Sequence, residues 1–181
     1  MPNWCHNELK VSGDKEKVEQ FKNDFLKKGF AIIGSYTKDD DGWYDWNINN
    51  YGTKWNINPN DLDGYLFECY EDNICIFETE FNTAWTPPAQ FIKTASKLYE
   101  VAITLSYREY GMWFFGSVTY NNGKLLHVCE FDCFMEADID CIKNVFGSIN
   151  NAINVVYELE LENADKIIER LLKYKLKEIN E

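Results

Sequence analysis

Hydrophobic and polar positions near the start of the chain change from the period of a strand to that of a helix. Glu8–Val11 predicts a short strand. Apolar side chains at helical spacing then predict a helix over Lys15–Lys28, with Asp14 as its N-cap and Gly29 as its left-handed stop. Phe30–Tyr36 is apolar enough for a brief strand, with a packed connection as the alternative.

Four further elements complete a recognisable order. Tyr65–Tyr70 and Ile74–Phe81 predict two strands around a short turn, and a helix is expected to start at Thr86-Pro87 with Thr86 as its N-cap. Ala102–Tyr110 predicts another strand. The order strand, helix, strand, strand, helix, strand is that of the split βαβ unit. We therefore predict an α+β, ferredoxin-like antiparallel sheet with two helices on one face.

The next segment predicts a hairpin that extends this sheet. Trp113–Tyr120 and Lys124–Asp132 flank the sequence Asn121-Asn122-Gly123, and Asn-Gly is the strongest short hairpin signal. We expect residues 1–132 to form the ferredoxin-like domain, with a long insertion rich in Trp and Asn at about residues 38–63.

Residues 133–181 predict a C-terminal α/β appendage packed on that domain. We expect a helix near Ala137–Phe146, a strand at Ile153–Leu161 and a final helix capped by Asn163. The apolar stripe of the final helix fits two roles, docking on the same chain or forming a homodimer.

The composition supports a folded protein outside the membrane. Of 181 residues, 45% are hydrophobic and 16% aromatic, which is enough apolar surface for a core. No run of about 18 apolar residues occurs, so no membrane span is expected. The first residues form neither a basic nor an apolar leader region, so we expect a cytoplasmic protein.

The charge argues against direct binding to nucleic acid. Lys and Arg number 18 against 30 Asp and Glu, which gives a formal net charge of −12. Only Arg108 and Arg170 offer guanidinium groups, whereas sequence-independent binding needs several phosphates to be neutralised. An acidic surface that mimics nucleic acid and blocks a partner's basic groove is an alternative.

Six cysteines raise the questions of disulfides and metal. Without an export signal the compartment is expected to be reducing, which favours structural thiols. His127, Cys129, Cys133 and Cys141 are zinc-ligand types, but their spacing matches no standard site. The sequence therefore predicts neither a metal site nor a cofactor.

Flat aromatic and amide side chains concentrate in the insertion and at two later positions. Aromatic rings stack on bases, and amides offer both a donor and an acceptor to a base or sugar edge. The candidate ligand-binding residues are Trp43, Trp46, Asn47, Asn50, Lys54, Trp55, Asn82, Trp85 and Arg108. The alternative is that Trp46 and Trp55 fold back and cover the sheet.

Four motifs in order carry a resemblance to a known family. They are Met1-Pro2-Asn3-Trp4-Cys5-x-Asn7, Trp46 through Asn50-Tyr51-Gly52-Thr53-Lys54-Trp55, Phe81-x-Thr83-Ala84-Trp85-x-Pro87-Pro88, and Tyr107-x-Glu109-x-Gly111. Roughly residues 1–132 resemble phage and plasmid proteins with a YubB-type ferredoxin-like domain of unknown function. Tyr51 stands where a Trp is typical, and Asn56 stands where an Asp is typical. The resemblance implies a mobile-element origin and an intracellular setting.

These observations favour a non-enzymatic binding protein in the host cytosol. It would recognise a host protein or a small nucleotide-like ligand, and the mobile-element setting suggests a role in countering host defence. The chain lacks the standard phosphate-binding and dinucleotide-binding glycine motifs. An enzyme acting on a small polar substrate through Glu78, Glu80, Glu109 and His127 remains the alternative.

Overall fold

A six-stranded antiparallel sheet organises the chain. The computed structural model describes residues 3–62, 64–159 and 163–180. The strands are β1 Trp4–Asp14, β2 Tyr65–Cys69, β3 Ile74–Ala84, β4 Ala102–Glu109, β5 Phe114–Asn121 and β6 Lys124–Phe131. Their order in space is β2-β3-β1-β4-β5-β6. The first four strands have the ferredoxin-like order, and the predicted hairpin extends the sheet, so the fold prediction is confirmed.

Helices cover both faces of this sheet. Within the described residues they are α1 Lys15–Lys28, α2 Trp43–Asn50, α3 Ala89–Tyr99, α4 Ile139–Phe146, α5 Ile149–Glu158 and α6 Ala164–Asn180. Short 3-10 helices lie at Gly29–Ile33 and Pro59–Asp61. None of the helices in this part of the chain is long and apolar enough to cross a lipid bilayer.

The main core lies between the sheet and helices α1 and α3. Alternate residues of the central strands, such as Leu9 and Phe77, are fully buried on this face. Phe21 and Phe25 of α1 stack with their ring centroids 5.4 Å apart, and Phe25 also lies 5.9 Å from Phe91 of α3. Burial of each such side chain stabilises the fold by about 1.5–3 kcal/mol.

A second core lies on the opposite face, beneath α4, α5 and α6. Phe115 and Phe131 of the sheet pack against Phe134 and Phe146. Arg170 of α6 donates to the backbone oxygen of Phe134 at 2.7 Å. The C-terminal helices thus share a core with β5 and β6, and the boundary at residue 132 stays a prediction.

The region after α1 differs from the strand expected there. Of the two alternatives for Phe30–Tyr36, the strand is wrong and the packed connection holds: Gly29–Ile33 is a 3-10 helix, and the ring centroids of Phe30 and Phe91 lie 4.6 Å apart. The insertion contains α2, which the sequence pattern did not predict. No residue of α2 is buried, so the helix has no apolar period for a sequence pattern to reveal.

Two further predictions fail near the ends of helices. Ile153 begins a predicted strand but lies inside α5, and Leu161 of that prediction falls outside the described residues. Thr86 does not cap α3, because its hydroxyl donates instead to the backbone oxygen of Gly52 at 2.7 Å and Pro88 occupies the N-cap position. Thr86 therefore ties the insertion to the end of β3.

The cysteines differ from the expectation of free thiols. Cys69 and Cys75 are opposite each other in the β2–β3 register and form a disulfide. A second disulfide joins Cys129 of β6 to Cys141 of α4. The pairing depends on strand register and helix placement, which the spacing of cysteines along the sequence does not reveal.

Asn56 fastens the insertion to the end of α1. Its side-chain oxygen accepts from the backbone N–H of Phe30 at 2.6 Å, and its amide donates to the backbone oxygen of Lys28 at 3.0 Å. An aspartate can reproduce the accepting bond but not the donating one. Asn56 therefore has a structural role in this chain.

We predict that Asn56→Asp lowers the free energy of unfolding by about 1 kcal/mol, because one donor to the Lys28 carbonyl is lost and a carboxylate faces that oxygen. Urea titration followed by far-UV circular dichroism measures the change. Asn58→Asp is the matched control, because the Asn58 side chain acts only as an acceptor, from Asn60. Equal stability of the two variants would contradict the assigned role of Asn56.

Candidate functional site

A cleft of about 480 Å³ opens at the end of the sheet where β1 begins and β3 ends. The β2–β3 register stops at the Tyr65–Thr79 pair, so the last residues of β3 have no neighbouring strand on that side. The loop that follows Lys54 lies there instead. The lining residues are Trp4, Trp55, Asn56, Ile57, Asn58, Asp61, Phe81, Asn82, Thr83 and Ala84.

Two indole rings give the cleft its stacking surfaces. Trp4 is 53% exposed and Trp55 is 40% exposed. Trp4 is the first residue of β1 and pairs with Ala84, so its side chain lies on the face opposite α1 and α3. The Lys54 ammonium lies 4.5 Å from the Trp55 ring centroid. Both rings are therefore accessible to a flat ligand.

Some polar side chains of the cleft form hydrogen bonds with the protein, and others do not. The side-chain oxygen of Asn56 accepts from the backbone N–H of Phe30, and that of Asn58 accepts from the backbone N–H of Asn60. Among the described residues, the side chains of Asn82 and Asp61 form no hydrogen bond or ion pair with the protein. Asn82 offers a donor and an acceptor, and Asp61 offers acceptors. The cleft thus combines aromatic faces with groups that can bind the edge of a ring.

Three of the candidate residues lie in or beside this cleft. Trp55 and Asn82 line it, and Lys54 lies next to Trp55. Trp4 also lines it but is missing from the predicted set, because the predicted first strand began only at Glu8. Extending the alternation of β1 back to residue 4 would have placed Trp4 on the face opposite Leu9 and the main core.

Three of the predicted binding residues stabilise the insertion. Trp46 is partly buried and packs edge-on against Tyr51, with ring centroids 5.2 Å apart. The Asn47 amide donates to the backbone oxygen of Lys54 at 2.9 Å. The Asn50 amide donates to the backbone oxygen of Trp46 at 2.8 Å. Trp46 therefore packs against the main core.

The remaining three predicted residues are not part of the cleft lining. Trp43 is exposed on α2. Trp85 is exposed directly after β3, with a backbone φ of 74°. Arg108 forms an ion pair with Glu8, and its guanidinium carbon lies 5.6 Å from the Phe146 ring centroid. Arg108 thus links the sheet to α4.

Of the acidic residues considered for catalysis, Glu78 and Glu80 line a second cleft together, whereas Glu109 lies apart from them. Lys10 forms an ion pair with Glu78 at 2.7 Å, and His6 lies 3.4 Å from Glu80. Glu109 is buried on the opposite face, where it accepts from the backbone N–H of Gly111 at 2.9 Å. Glu109 is therefore separated from Glu78 and Glu80 by the sheet, contrary to their proposed grouping.

The residues considered as zinc ligands have other partners. His127 Nε2 lies 3.2 Å from the Asn144 amide nitrogen, and Cys129 is paired with Cys141. Within the described ranges, no group of three His, Cys, Asp or Glu side chains is placed to hold a metal ion.

The buried residues of the first motif hold β1 in place against β3. The Asn7 amide donates to the backbone oxygen of Cys5 at 2.8 Å and to the hydroxyl of Thr83 at 2.9 Å. Burial raises the pKa of the Cys5 thiol from 9.0 to about 12. Cys5 is therefore a packed thiol rather than a nucleophile at neutral pH.

Comparison with known proteins identifies the family to which this chain belongs. Residues 54–145, just over half of the chain, match the family described as "Ferredoxin-like domain in Api92-like protein". The chain belongs to this family, to which no activity is assigned. No curated protein matches the chain.

One solved structure similar to this chain is the crystal structure of protein api92 from Yersinia pseudotuberculosis. The two sequences are 12% identical, and the match covers 74% of this chain and 99% of that one with a TM-score of 0.48. The family assignment rests on residues 54–145.

We predict that Cys5 resists alkylation by iodoacetamide at pH 9 in the folded protein, while Cys133 reacts. An ordinary thiol is about half ionised at that pH, whereas the raised pKa keeps Cys5 protonated and burial blocks access. Cys133 is a partly exposed free thiol. Peptide mass spectrometry locates the label, with urea-unfolded protein as the control. Rapid labelling of Cys5 in the folded state would contradict the described burial.

Proposed function

We propose that this chain is a non-enzymatic binding protein that holds a small nucleotide-like ligand in the cleft between Trp4 and Trp55. The observation that carries the proposal is the combination of two exposed indoles with the available side chains of Asn82 and Asp61 around one cavity. A cavity of about 480 Å³ is within the usual range for small-molecule sites.

Stacking provides affinity without a basic surface. A base stacked on an aromatic side chain contributes about 1–3 kcal/mol. Asn82 supplies a donor and an acceptor to the ring edge, while Asp61 accepts from ring N–H or amino groups. Lys54 is the cation beside Trp55, and the chain carries a net charge of −12. This electrostatic setting favours a nucleoside or monophosphate over a polyphosphate.

A host protein is the second candidate ligand, and a specific surface favours it. Trp85, Met112 and Trp113 are exposed at the same end of the sheet as the cleft. The backbone N–H of Trp85 donates to the backbone oxygen of Asn3 at 2.9 Å, and Gly111 lies against the Asn3 side chain. Trp and Met are enriched at protein interfaces. A partner that covers this end would contact the cleft rim as well.

The biological setting belongs to the same proposal. The four motifs support a phage or plasmid origin, and a binding protein of such an element can counter host defence by sequestering a signal or covering an enzyme. The two disulfides weigh against a reducing cytosol. Mass spectrometry of the cysteines in protein taken directly from alkylated cells tests the cytoplasmic location, which requires reduced thiols.

We predict that a panel of nucleosides and nucleoside monophosphates contains a ligand that quenches Trp fluorescence. Trp55→Ala and Trp4→Ala should each weaken its binding by about 5- to 150-fold, which corresponds to about 1–3 kcal/mol of lost stacking. Isothermal titration calorimetry measures the affinity independently of the fluorophores.

Trp43→Ala is the matched control for this experiment, because Trp43 is similarly exposed at 39% but lies outside the cleft lining. Its affinity should equal that of the unaltered chain. Absence of binding across the panel, or equal losses in all three variants, would refute the small-ligand proposal. Capture of a host protein that depends on Trp85 and Trp113 but not on Trp43 would instead support the second candidate.

A further inference from the structure

The second cleft, of about 720 Å³, has one wall formed by an edge strand of the sheet. Its floor consists of residues of β1, β3 and β4. Residues 64–66, at the start of β2, form one wall, and Asn144 and Gly147, at the end of α4, form the other. The shape of this cleft therefore depends on how firmly β2 and α4 are attached to the sheet.

Strand β2 is the least buried strand of the sheet. It has five residues, of which only Phe67 is partly buried, and it pairs with β3 alone within the described chain. The Lys22 ammonium lies 4.1 Å from the Phe67 ring centroid, and the Thr79 hydroxyl donates to the backbone oxygen of Gly64 at 2.7 Å. A short edge strand with so little buried apolar surface opens at a low cost in free energy. A covalent link to β3 therefore matters more for β2 than for a buried strand.

The disulfide between Cys69 and Cys75 is that link. Cys69 is the last residue of β2 and lies directly opposite Cys75 in the register with β3. Cys69 is exposed, whereas Cys75 is fully buried. Thiol–disulfide exchange needs access of a thiolate to one sulfur, and the exposed Cys69 offers the approach. This disulfide can therefore be reduced in the folded protein.

The second disulfide differs in both access and consequence. Cys129 is partly buried and Cys141 is 5% exposed, so a reductant reaches this pair less readily. Helix α4 also buries Ile142, Val145 and Phe146 in the second core. It therefore stays attached to the sheet without a covalent link, and the second disulfide serves as an internal comparison.

We propose that the Cys69–Cys75 disulfide is a redox switch that fixes β2, and with it one wall of the second cleft, in the oxidised protein and loosens both on reduction. The reductant is a dithiol. One of its thiolates attacks the Cys69 sulfur and expels the Cys75 thiolate, which takes up a proton. The second thiol of the reductant then releases Cys69 as a thiol and closes the reductant's own disulfide, so that two electrons and two protons pass to the protein.

This switch does not depend on the proposed ligand of the other cleft, because no residue of β2 lines the cleft between Trp4 and Trp55. A compartment rich in thiols selects the loosened form, and an oxidising compartment selects the fixed form. The two disulfides of one chain thus have different roles: one responds to the compartment, and the other reinforces a helix that is already packed.

Graded reduction of the full oxidised chain with dithiothreitol tests the switch. Alkylation followed by peptide mass spectrometry should show that Cys69–Cys75 is reduced about tenfold or more faster than Cys129–Cys141. Hydrogen exchange measured on the same samples should become about tenfold or more faster in β2 and in the β3 amides that pair with it. Exchange in β5 and α4 should stay unchanged while Cys129–Cys141 is intact.

Two serine variants separate the roles of the two disulfides. Cys69→Ser should give fast exchange in β2 without any reductant, and dithiothreitol should not increase it further. Cys129→Ser is the matched control and should keep the slow exchange of β2 in the oxidised protein. Far-UV circular dichroism confirms that both variants are folded, and the measurement on the unaltered chain needs neither of them.

Three results would overturn the proposal. The first is equal exchange of β2 in the oxidised and reduced forms of the unaltered chain. The second is reduction of Cys129–Cys141 before Cys69–Cys75. The third is a Cys69–Cys75 pair that remains reduced when the folded protein is incubated with glutathione disulfide.

Discussion

The register of β1 between β3 and β4 is the constraint on which the rest of the structure depends. Leu9 faces Thr79 on one side and Leu105 on the other, so the odd-numbered residues of β1 enter the main core. A shift by one residue would turn these side chains to the opposite face. The same register places Trp4 on that opposite face, at the mouth of the cleft.

Buried polar contacts make this register specific. Asn7 is fully buried, and its amide bonds connect the backbone of β1 to the Thr83 hydroxyl of β3. A slipped register would separate Asn7 from Thr83 and leave a buried amide without its partners, at a cost of about 1–3 kcal/mol. The motif residues thus support the cleft indirectly: they fix the strand that carries Trp4 and the strand that carries Asn82.

Much of the fold follows from local signals in the sequence. Asp14 accepts from the backbone N–H of Glu16 at the start of α1, and Gly29 ends that helix at a φ of 59°. Asn122 and Gly123 both adopt positive φ in the predicted hairpin turn. These elements were predictable because each depends on residues that are neighbours along the chain.

The site was less predictable because it depends on contacts between distant residues. Trp46 and Trp55 belong to one aromatic-rich segment, yet Trp46 packs on Tyr51 while Trp55 lines the cleft. The difference arises from α2, which has no buried residue and no apolar period. Asn47 and Asn50 likewise resemble ligand-binding amides in sequence, but the helix and its following turn use both amides internally.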